Sequence, residues 1–184
     1  MSAARPFTIR ACEPPEAGRL AALAARLFAQ AYGATHPEPT LGAYLAEAFD
    51  PERLRAELAT PGVRVLLAAD DSRRPIGYAY LRESTERVPS GVPGARPAEV
   101  ARFYVDAAWH GRGVAAALMA ACEAEALRRG ADALWLSVWQ RAARPIAFYR
   151  RAGFGVVGTT TFRFGERLDD DYVMARRLPT PPAG

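Results

Sequence analysis

The chain has 184 residues, half of them apolar, and this length and composition fit one globular domain with a sizeable core. The net charge is +4, but all 24 basic residues are arginines scattered in singles and pairs, which disfavours a nucleic-acid-binding protein. Without lysine the chain cannot form a Walker-type phosphate loop, and no apolar run suggests a signal peptide or a membrane span. We expect a cytoplasmic protein without nucleic-acid or membrane partners.

Two cysteines and two histidines are the residues that could form a disulfide or bind a transition metal. Cys12 and Cys122 are far apart in the sequence, and His36 and His110 complete no metal-ligand pattern with them. We therefore predict that both thiols pack in the core, and we expect no metal site.

The first half of the chain alternates between strand and helix patterns. Strand patterns are found at residues 7–12, 63–69 and 76–83. Helical spacing of apolar residues predicts helices at residues 16–32, 40–49 and 51–59. The last two strands flank a polar turn and should form a hairpin, and the Pro-, Gly- and Ser-rich stretch 84–97 should be a surface loop.

The second half contains one strand–helix–strand crossover followed by a hairpin. Strands are predicted at residues 98–105, 133–139, 154–164 and 171–178, and helices at 113–129 and 144–152. The element order predicts an α/β protein with a mixed sheet and helices on both faces. We assign residues 1–178 to a single domain and 179–184 to a flexible C-terminal tail.

The glycine turn after the strand at 98–105 has the features of an anion-binding loop. A helix begins directly after it, and the first N–H groups of a helix attract negative charge. Gly111 and Gly113 allow positive φ and close approach of a ligand, while Ala115 and Ala116 keep the helix start uncrowded. Arg112 adds a positive charge. The alternative is that both glycines only serve a tight strand-to-helix turn.

This segment resembles the signature of the GCN5-related N-acetyltransferases, in which a strand ending in a motif like YV is followed by Q/R-x-x-G-x-G/A. Tyr104-Val105 and then His110 to Ala115 (HGRGVA) fit this pattern, with His110 where Gln or Arg is usual. The resemblance implies that the loop amides bind the pyrophosphate of acetyl-CoA. The His110 ring nitrogens could bind phosphate or cap the turn, or the residue could be a solvated turn residue.

A second segment, ARPIAFYRRAGFGVVG, resembles the family's N-x-x-A-x-x-F-Y-x-x-x-G-F element. Phe148, Tyr149, Gly153 and Phe154 match, whereas Ala142 and Pro145 replace the usual Asn and Ala. With this element the resemblance runs from about residue 7 to residue 178. It implies a largely antiparallel sheet of six or seven strands, with two splayed central parallel strands that admit the coenzyme.

The resemblance also implies which residues form the site. Coenzyme contacts are expected from Tyr104, Val105, His110, Gly111, Arg112, Gly113, Val114, Ala115, Ala116, Ala142 and Tyr149. Tyr149 is the candidate acid for the departing thiolate, and its alternative role is packing of a helix on the sheet. Strand alternation places Glu99 on one face with Ala101, Phe103 and Val105, which makes Glu99 the candidate base. A solvated carboxylate is the alternative.

Four segments carry a narrower likeness: LFAQAYG, AYLAEAFDPERLRAEL, WLSVWQRAARPIAFYRRAGF and FRFGERLDDDYVMARRL. Together they are similar to the bacterial diamine and polyamine acetyltransferases, which implies a cationic amine as the acceptor. Carboxylates that could surround such an acceptor are Glu47, Asp50, Glu83, Glu99 and the run Asp169–Asp171. A solvated hairpin turn is the alternative interpretation of that run. A coenzyme-binding protein without turnover and an enzyme acting on a protein N-terminus or another amine also stay open. So does the oligomeric state, with a homodimer as one option.

Overall fold

The computed structural model describes residues 7–36, 38–84 and 88–179, so that the predicted tail lies outside the described residues from position 180 onward. The strands are β1 (Phe7–Ala11), β2 (Val63–Asp70), β3 (Pro75–Glu83), β4 (Pro97–Val105), β5 (Ala133–Trp139), β6 (Gly155–Phe164) and β7 (Arg167–Arg177). The α-helices are α1 (Ala17–Tyr32), α2 (Thr40–Ala48), α3 (Pro51–Ala59), α4 (Val114–Arg128) and α5 (Ala143–Arg151). Every helix and strand predicted from the sequence is confirmed.

The seven strands form one mixed sheet in the order β1-β2-β3-β4-β5-β7-β6. β4 and β5 are parallel, whereas β1–β2, β5–β7 and β6–β7 are antiparallel. The β4–β5 ladder pairs only Pro97–Glu99 with Ala133–Trp135, although β4 continues to Val105 and β5 to Trp139. The predicted α/β fold, with a central parallel pair whose ladder ends early, is therefore confirmed.

Tertiary contacts divide the chain into two compact units. Unit 1 holds the described residues up to Tyr80 together with Arg102–Ala121, and unit 2 holds Leu81–Ala101 together with the described residues from Cys122 onward. Unit 1 has a core cluster that includes Ala68, Ile76 and Val114, and unit 2 has one built on Trp135 and Val173. The assignment of residues 1–178 to one domain stays a prediction.

The buried face of α1 and the start of α3 follow from the sequence pattern. In α1, Leu20, Leu23 and Leu27 are buried at helical spacing and form its core-facing side. Asp50 caps α3 because its side chain accepts a hydrogen bond from the Arg53 N–H, and Pro51 occupies the first helical position. No helix in the described ranges is long and apolar enough to cross a membrane.

The pairing of β3 with β4 contains one extra β4 residue. The N–H of Asp106 donates to the carbonyl of Ile76, and the N–H of Ser84 donates to that of Pro97. Eight residue steps along β3 therefore match nine along β4, as in a β-bulge. The extra residue lies somewhere between Pro97 and Asp106, and the alternation predicted from Glu99 to Val105 stays a prediction.

The last hairpin differs from the prediction at its turn. β7 begins at Arg167 rather than at Asp171, so Asp169, Asp170 and Asp171 lie within the strand and pair with Phe162, Thr161 and Thr160 of β6, listed in the same order. Asp169 and Asp171 are buried, whereas Asp170 is exposed. The interpretation of the run as a solvated turn is therefore wrong, since turn-type residues here continue the ladder.

Candidate active site

The loop between β4 and α4 comprises residues Asp106–Gly113 and is hereafter the glycine loop. This loop and the first turn of α4 present backbone N–H groups without partners among the described residues. Among the described residues, no acceptor pairs with the N–H groups of Gly111, Gly113, Val114, Ala115 and Ala116. The α4 ladder starts with the N–H of Ala117, which donates to the carbonyl of Gly113. Five unpaired donors at the start of a 15-residue helix form a cradle for an anion.

Both glycines of the loop have conformations that other residues rarely adopt. Their φ angles are +75° at Gly111 and +82° at Gly113. A Cβ atom built at either position would meet no heavy atom within 4 Å. The glycines are thus required for backbone conformation, and the protein leaves the space beside them open. A phosphate group fits this arrangement.

His110 is exposed and caps the turn. Its Nε2 lies 2.9 Å from the carbonyl oxygen of Val105, and because a carbonyl only accepts, the ring donates to it. The histidine therefore ties the loop to the last residue of β4. The predicted turn-capping contact is observed, whereas a contact with phosphate stays a prediction.

Two aromatic residues of unit 1 are of interest here, Trp109 within the glycine loop and Tyr104 just before it. The guanidinium of Arg112 lies over the ring of Trp109, 5.5 Å from its centroid. This cation–π contact orients the exposed arginine side chain. The ring of Tyr104 stacks on Tyr78 with centroids 5.7 Å apart. Burial, neighbouring tyrosines and a hydrogen bond to Tyr32 raise the pKa of Tyr104 well above its ordinary value, so its phenol stays protonated at neutral pH.

The backbone of Val105 points away from β3. The N–H of Asp106 donates to Ile76 of β3 at 2.8 Å, and successive N–H groups of a strand alternate between its two edges. The N–H of Val105 therefore lies on the other edge of β4. The β5 ladder on that edge has already ended at Glu99.

Tyr149 lies in α5 and Ala142 directly precedes this helix, both in unit 2. Tyr149 is 7% exposed and makes edge contacts with Phe148 and Phe154 at centroid distances of 5.4 and 5.9 Å. Its aromatic ring thus packs as a core residue does, while its hydroxyl is the group that could donate a proton. Ala142 occupies the N-cap position of α5 and makes no side-chain cap, because its methyl group cannot accept a hydrogen bond.

Glu99 is not a solvated carboxylate. It is 9% exposed, and its carboxylate accepts a hydrogen bond from Nε of Arg82 at 2.5 Å. The guanidinium is itself half-exposed, so the pair lies at the rim of unit 2. The candidate base therefore already has a cationic partner.

Sequence reasoning underrated a second buried carboxylate of unit 2, Asp171. It is 6% exposed, and no guanidinium of the described chain lies within ion-pair distance of it. Burial and the neighbouring Asp169 raise its pKa to about 6, although a hydrogen bond from Ser137 opposes the shift. Asp169, by contrast, pairs with Arg167 at 2.7 Å. The run Asp169–Asp171 differs from an ordinary polar turn only because it lies within β7. The sequence pattern did not reveal this position.

Sequence reasoning also missed Asp106, Arg26 and Gln30. Asp106 follows β4 directly, and its side chain accepts a hydrogen bond from the N–H of Ala108 at 3.1 Å, as a cap of the short helix Ala107–Trp109. The signal available in the sequence was an Asp at a strand end before a helical turn. Its partners on α1 could not be identified from spacing, because 76 or more residues separate them.

The predicted site residues therefore fall into two groups. Unit 1 contains the residues Tyr104 to Ala116, and unit 2 contains Glu99, Ala142 and Tyr149. The described ranges hold no group of three His, Cys, Asp or Glu side chains that could bind a metal ion.

Comparisons with known proteins agree with this fold. Residues 25–154 match the model of the acetyltransferase (GNAT) family. Proteins of Mycobacterium bovis and Mycobacterium tuberculosis that are named uncharacterized N-acetyltransferases are 35% identical over 163 residues, which cover 89% of this chain and 98% of theirs.

Solved structures share the fold at lower identity. The PaiA N-acetyltransferase of Thermoplasma acidophilum, crystallised with coenzyme A, is 20% identical with a TM-score of 0.75, covering 94% of this chain and 99% of its own. Arabidopsis thaliana NAA60, crystallised with acetyl-CoA, is 15% identical with a TM-score of 0.70, covering 94% and 99%. With the family match and the mycobacterial relatives, these findings show that the chain belongs to the acetyltransferase (GNAT) family and is an N-acetyltransferase.

Proposed function

We propose that this enzyme transfers the acetyl group of acetyl-CoA to a primary amine of a small, polyamine-like molecule, by direct attack in a ternary complex. The observation that carries the coenzyme part is the set of five unpaired N–H groups at the glycine loop. Such a cradle suits the pyrophosphate of acetyl-CoA, and Arg112 supported by Trp109 adds a cation for it.

The acceptor part rests on Asp171. A buried carboxylate without a cationic partner is costly, and an ammonium group is the partner that would relieve this cost. Ser137, which hydrogen-bonds Asp171, is itself exposed, so a ligand approaching from β5 would meet a side chain that contacts the buried carboxylate. Trp139 pairs with Asp171 across the ladder and could cover an alkylammonium group by a cation–π contact.

The reaction requires four events. The neutral amine attacks the thioester carbonyl, the carbon–sulfur bond breaks, the amine nitrogen loses a proton and the departing thiolate gains one. We assign proton donation to the Tyr149 hydroxyl, proton acceptance to Glu99, and stabilisation of the oxyanion to the N–H of Val105. Cation binding is assigned to Asp171.

An acceptor screen tests the proposal. Wild-type enzyme is given acetyl-CoA with spermidine, an aminoglycoside, a free amino acid or a peptide with a free N-terminus, and the acetylated product is identified by mass spectrometry. We expect acetylation of the polyamine with the highest kcat/KM. Asp171→Asn should raise KM for the polyamine about tenfold, a loss of the size seen for a charge-assisted contact, while KM for acetyl-CoA stays unchanged.

Tyr149→Phe separates chemistry from binding. We expect kcat to fall about 10²-fold, because general acid catalysis is lost. The Kd of acetyl-CoA should change by less than about threefold. Unchanged turnover would remove Tyr149 from the acid role. Tight acetyl-CoA binding without product from any amine would instead support the coenzyme-binding protein without turnover. The cytoplasmic location and the homodimer stay predictions.

A further inference from the structure

We propose that Asp106, Arg26 and Gln30 form a clamp by which helix α1 positions the glycine loop for the coenzyme. This inference rests on the proposed function, because the loop is there assigned to acetyl-CoA. It concerns residues that do not touch the cradle themselves and act through the loop backbone.

Asp106 is the centre of the clamp. It is 3% exposed, and its Oδ2 accepts a hydrogen bond from Arg26 at 2.5 Å, while its Oδ1 accepts from the Gln30 amide at 3.5 Å and from the Ala108 N–H at 3.1 Å. Burial opposes ionisation, but the hydrogen bonds from Arg26 and Ala108 outweigh it and lower the pKa of Asp106. The carboxylate is therefore charged at neutral pH, and the Arg74 guanidinium, 3.8 Å from Oδ2, is a second and more distant cation beside it.

Gln30 makes the clamp two-sided. Its side-chain oxygen accepts a hydrogen bond from the N–H of Ala107 at 3.2 Å, while its amide nitrogen reaches Asp106. Arg26 and Gln30 are one turn apart on α1 and so lie on one face of that helix. Two side chains of α1 thus hold the backbone at the start of the loop.

The loop passes this constraint on to the cradle. The N–H of Trp109 donates to the carbonyl of Asp106 at 2.8 Å, and the N–H of Arg112 donates to that of Trp109 at 3.4 Å. His110 adds its own bond to Val105. These hydrogen bonds hold Trp109 and Arg112 in place. They thereby position Gly113, the next residue, whose N–H has no partner among the described residues. Preorganised donors bind a phosphate without the cost of ordering the loop.

Four variants test the clamp. Asp106→Asn keeps the shape of the side chain and removes its charge, Arg26→Gln removes the main partner, and Arg26→Lys restores a cation. Arg19→Gln is the matched control, since it removes an exposed arginine from the same helix. The Kd of coenzyme A is measured by calorimetry, amide hydrogen exchange is followed at residues 107–113, and steady-state kinetics give kcat and KM for acetyl-CoA.

We expect Asp106→Asn and Arg26→Gln to weaken coenzyme A binding about tenfold or more and to accelerate exchange in the loop, because small displacements of positioned groups are costly. KM for acetyl-CoA should rise by the same factor while kcat changes less than about threefold. Arg26→Lys should recover most of the affinity, and Arg19→Gln should behave as wild type.

The inference is overturned if wild-type enzyme binds coenzyme A and both clamp variants, with native melting temperatures, bind it equally well with unchanged loop exchange. Should Asp106→Asn fail to fold, Arg26→Gln decides, because the Arg26 side chain is 39% exposed and its replacement leaves no cavity. Wild-type protein that binds no coenzyme A would contradict the proposed function itself and the inference with it.

Discussion

At the scale of single residues, two buried tyrosine hydroxyls of unit 1 differ in whether they have a hydrogen-bond partner. Tyr104 has Tyr32 as a hydrogen-bond partner, whereas the Tyr78 hydroxyl is buried without a partner among the described residues. Burial raises the pKa of Tyr78 far above its ordinary value, so the group stays a neutral phenol. A buried hydroxyl of this kind costs free energy that the stacked ring must offset.

Tyr78→Phe should therefore stabilise the protein. Removing the unpaired hydroxyl while keeping the ring is expected to raise the free energy of unfolding by about 1 kcal/mol, measured by urea denaturation. Tyr104→Phe is the comparison, because it removes a paired hydroxyl and should lower that free energy by a similar amount. A loss of stability in Tyr78→Phe would mean that its hydroxyl has a partner, such as a buried water.

The two thiols should be unreactive in the folded protein. Cys12 and Cys122 are buried, and burial raises the pKa of each to about 12, so almost no thiolate exists near pH 8. A thiol-specific disulfide reagent should label neither cysteine before denaturation and both after it. Labelling of native protein would contradict the described burial. If the prediction holds, released coenzyme A can be read with the same reagent without background from the protein.

At the scale of elements, the sequence predicts the helices and strands but not all of their pairings. Alternation and helical spacing are local properties, and the motif residues Gly111 and Gly113 could be assigned on that basis. The extra residue in β4 and the early start of β7 depend on neighbouring strands, so the burial of Asp171 within a strand could not be predicted from the local pattern. The contacts of Asp106 with Arg26 and Gln30 join distant segments and leave no mark in the local pattern.

A substitution in the glycine loop should affect coenzyme binding more selectively than one elsewhere. Gly113→Val forces a side chain into the open space and a strained φ, so we expect coenzyme A binding to weaken by about 100-fold or more. Gly153→Val, at φ +87° in unit 2, is the control for strain alone. Calorimetry on both variants checks this expectation. Equal binding by Gly113→Val and wild type would show that the cradle binds no coenzyme.

At the scale of the whole molecule, two carboxylates affect the pH dependence of stability in opposite directions. Glu16 is held by Arg10, which lowers its pKa to about 2, so its contribution is present above about pH 4.5 and is lost as the pH falls toward 2. The effect of Asp171 on stability has the opposite dependence on pH. Its folded pKa of about 6 exceeds its ordinary 3.8, so the folded state binds its proton more readily and loses stability as the pH rises through this window.

Asp171→Asn should remove that second effect. The variant should be more stable than wild type at pH 7.5, on the order of 1 kcal/mol, and the difference should disappear near pH 4, where the wild-type carboxyl is also neutral. Urea denaturation of both proteins across this range measures the difference. Asp170→Asn is the matched control at an exposed position and should follow wild type. A difference that grows in acid would contradict the assigned direction.

A crystal structure of the enzyme with coenzyme A tests the central claim most directly. The account predicts pyrophosphate oxygens within hydrogen-bond distance of the N–H groups of Gly111, Gly113, Val114, Ala115 and Ala116, which have no partner among the described residues. The side chain of Arg112 should lie beside the phosphates. Coenzyme A bound with its pyrophosphate away from this loop, and those amides still unpaired, would contradict it.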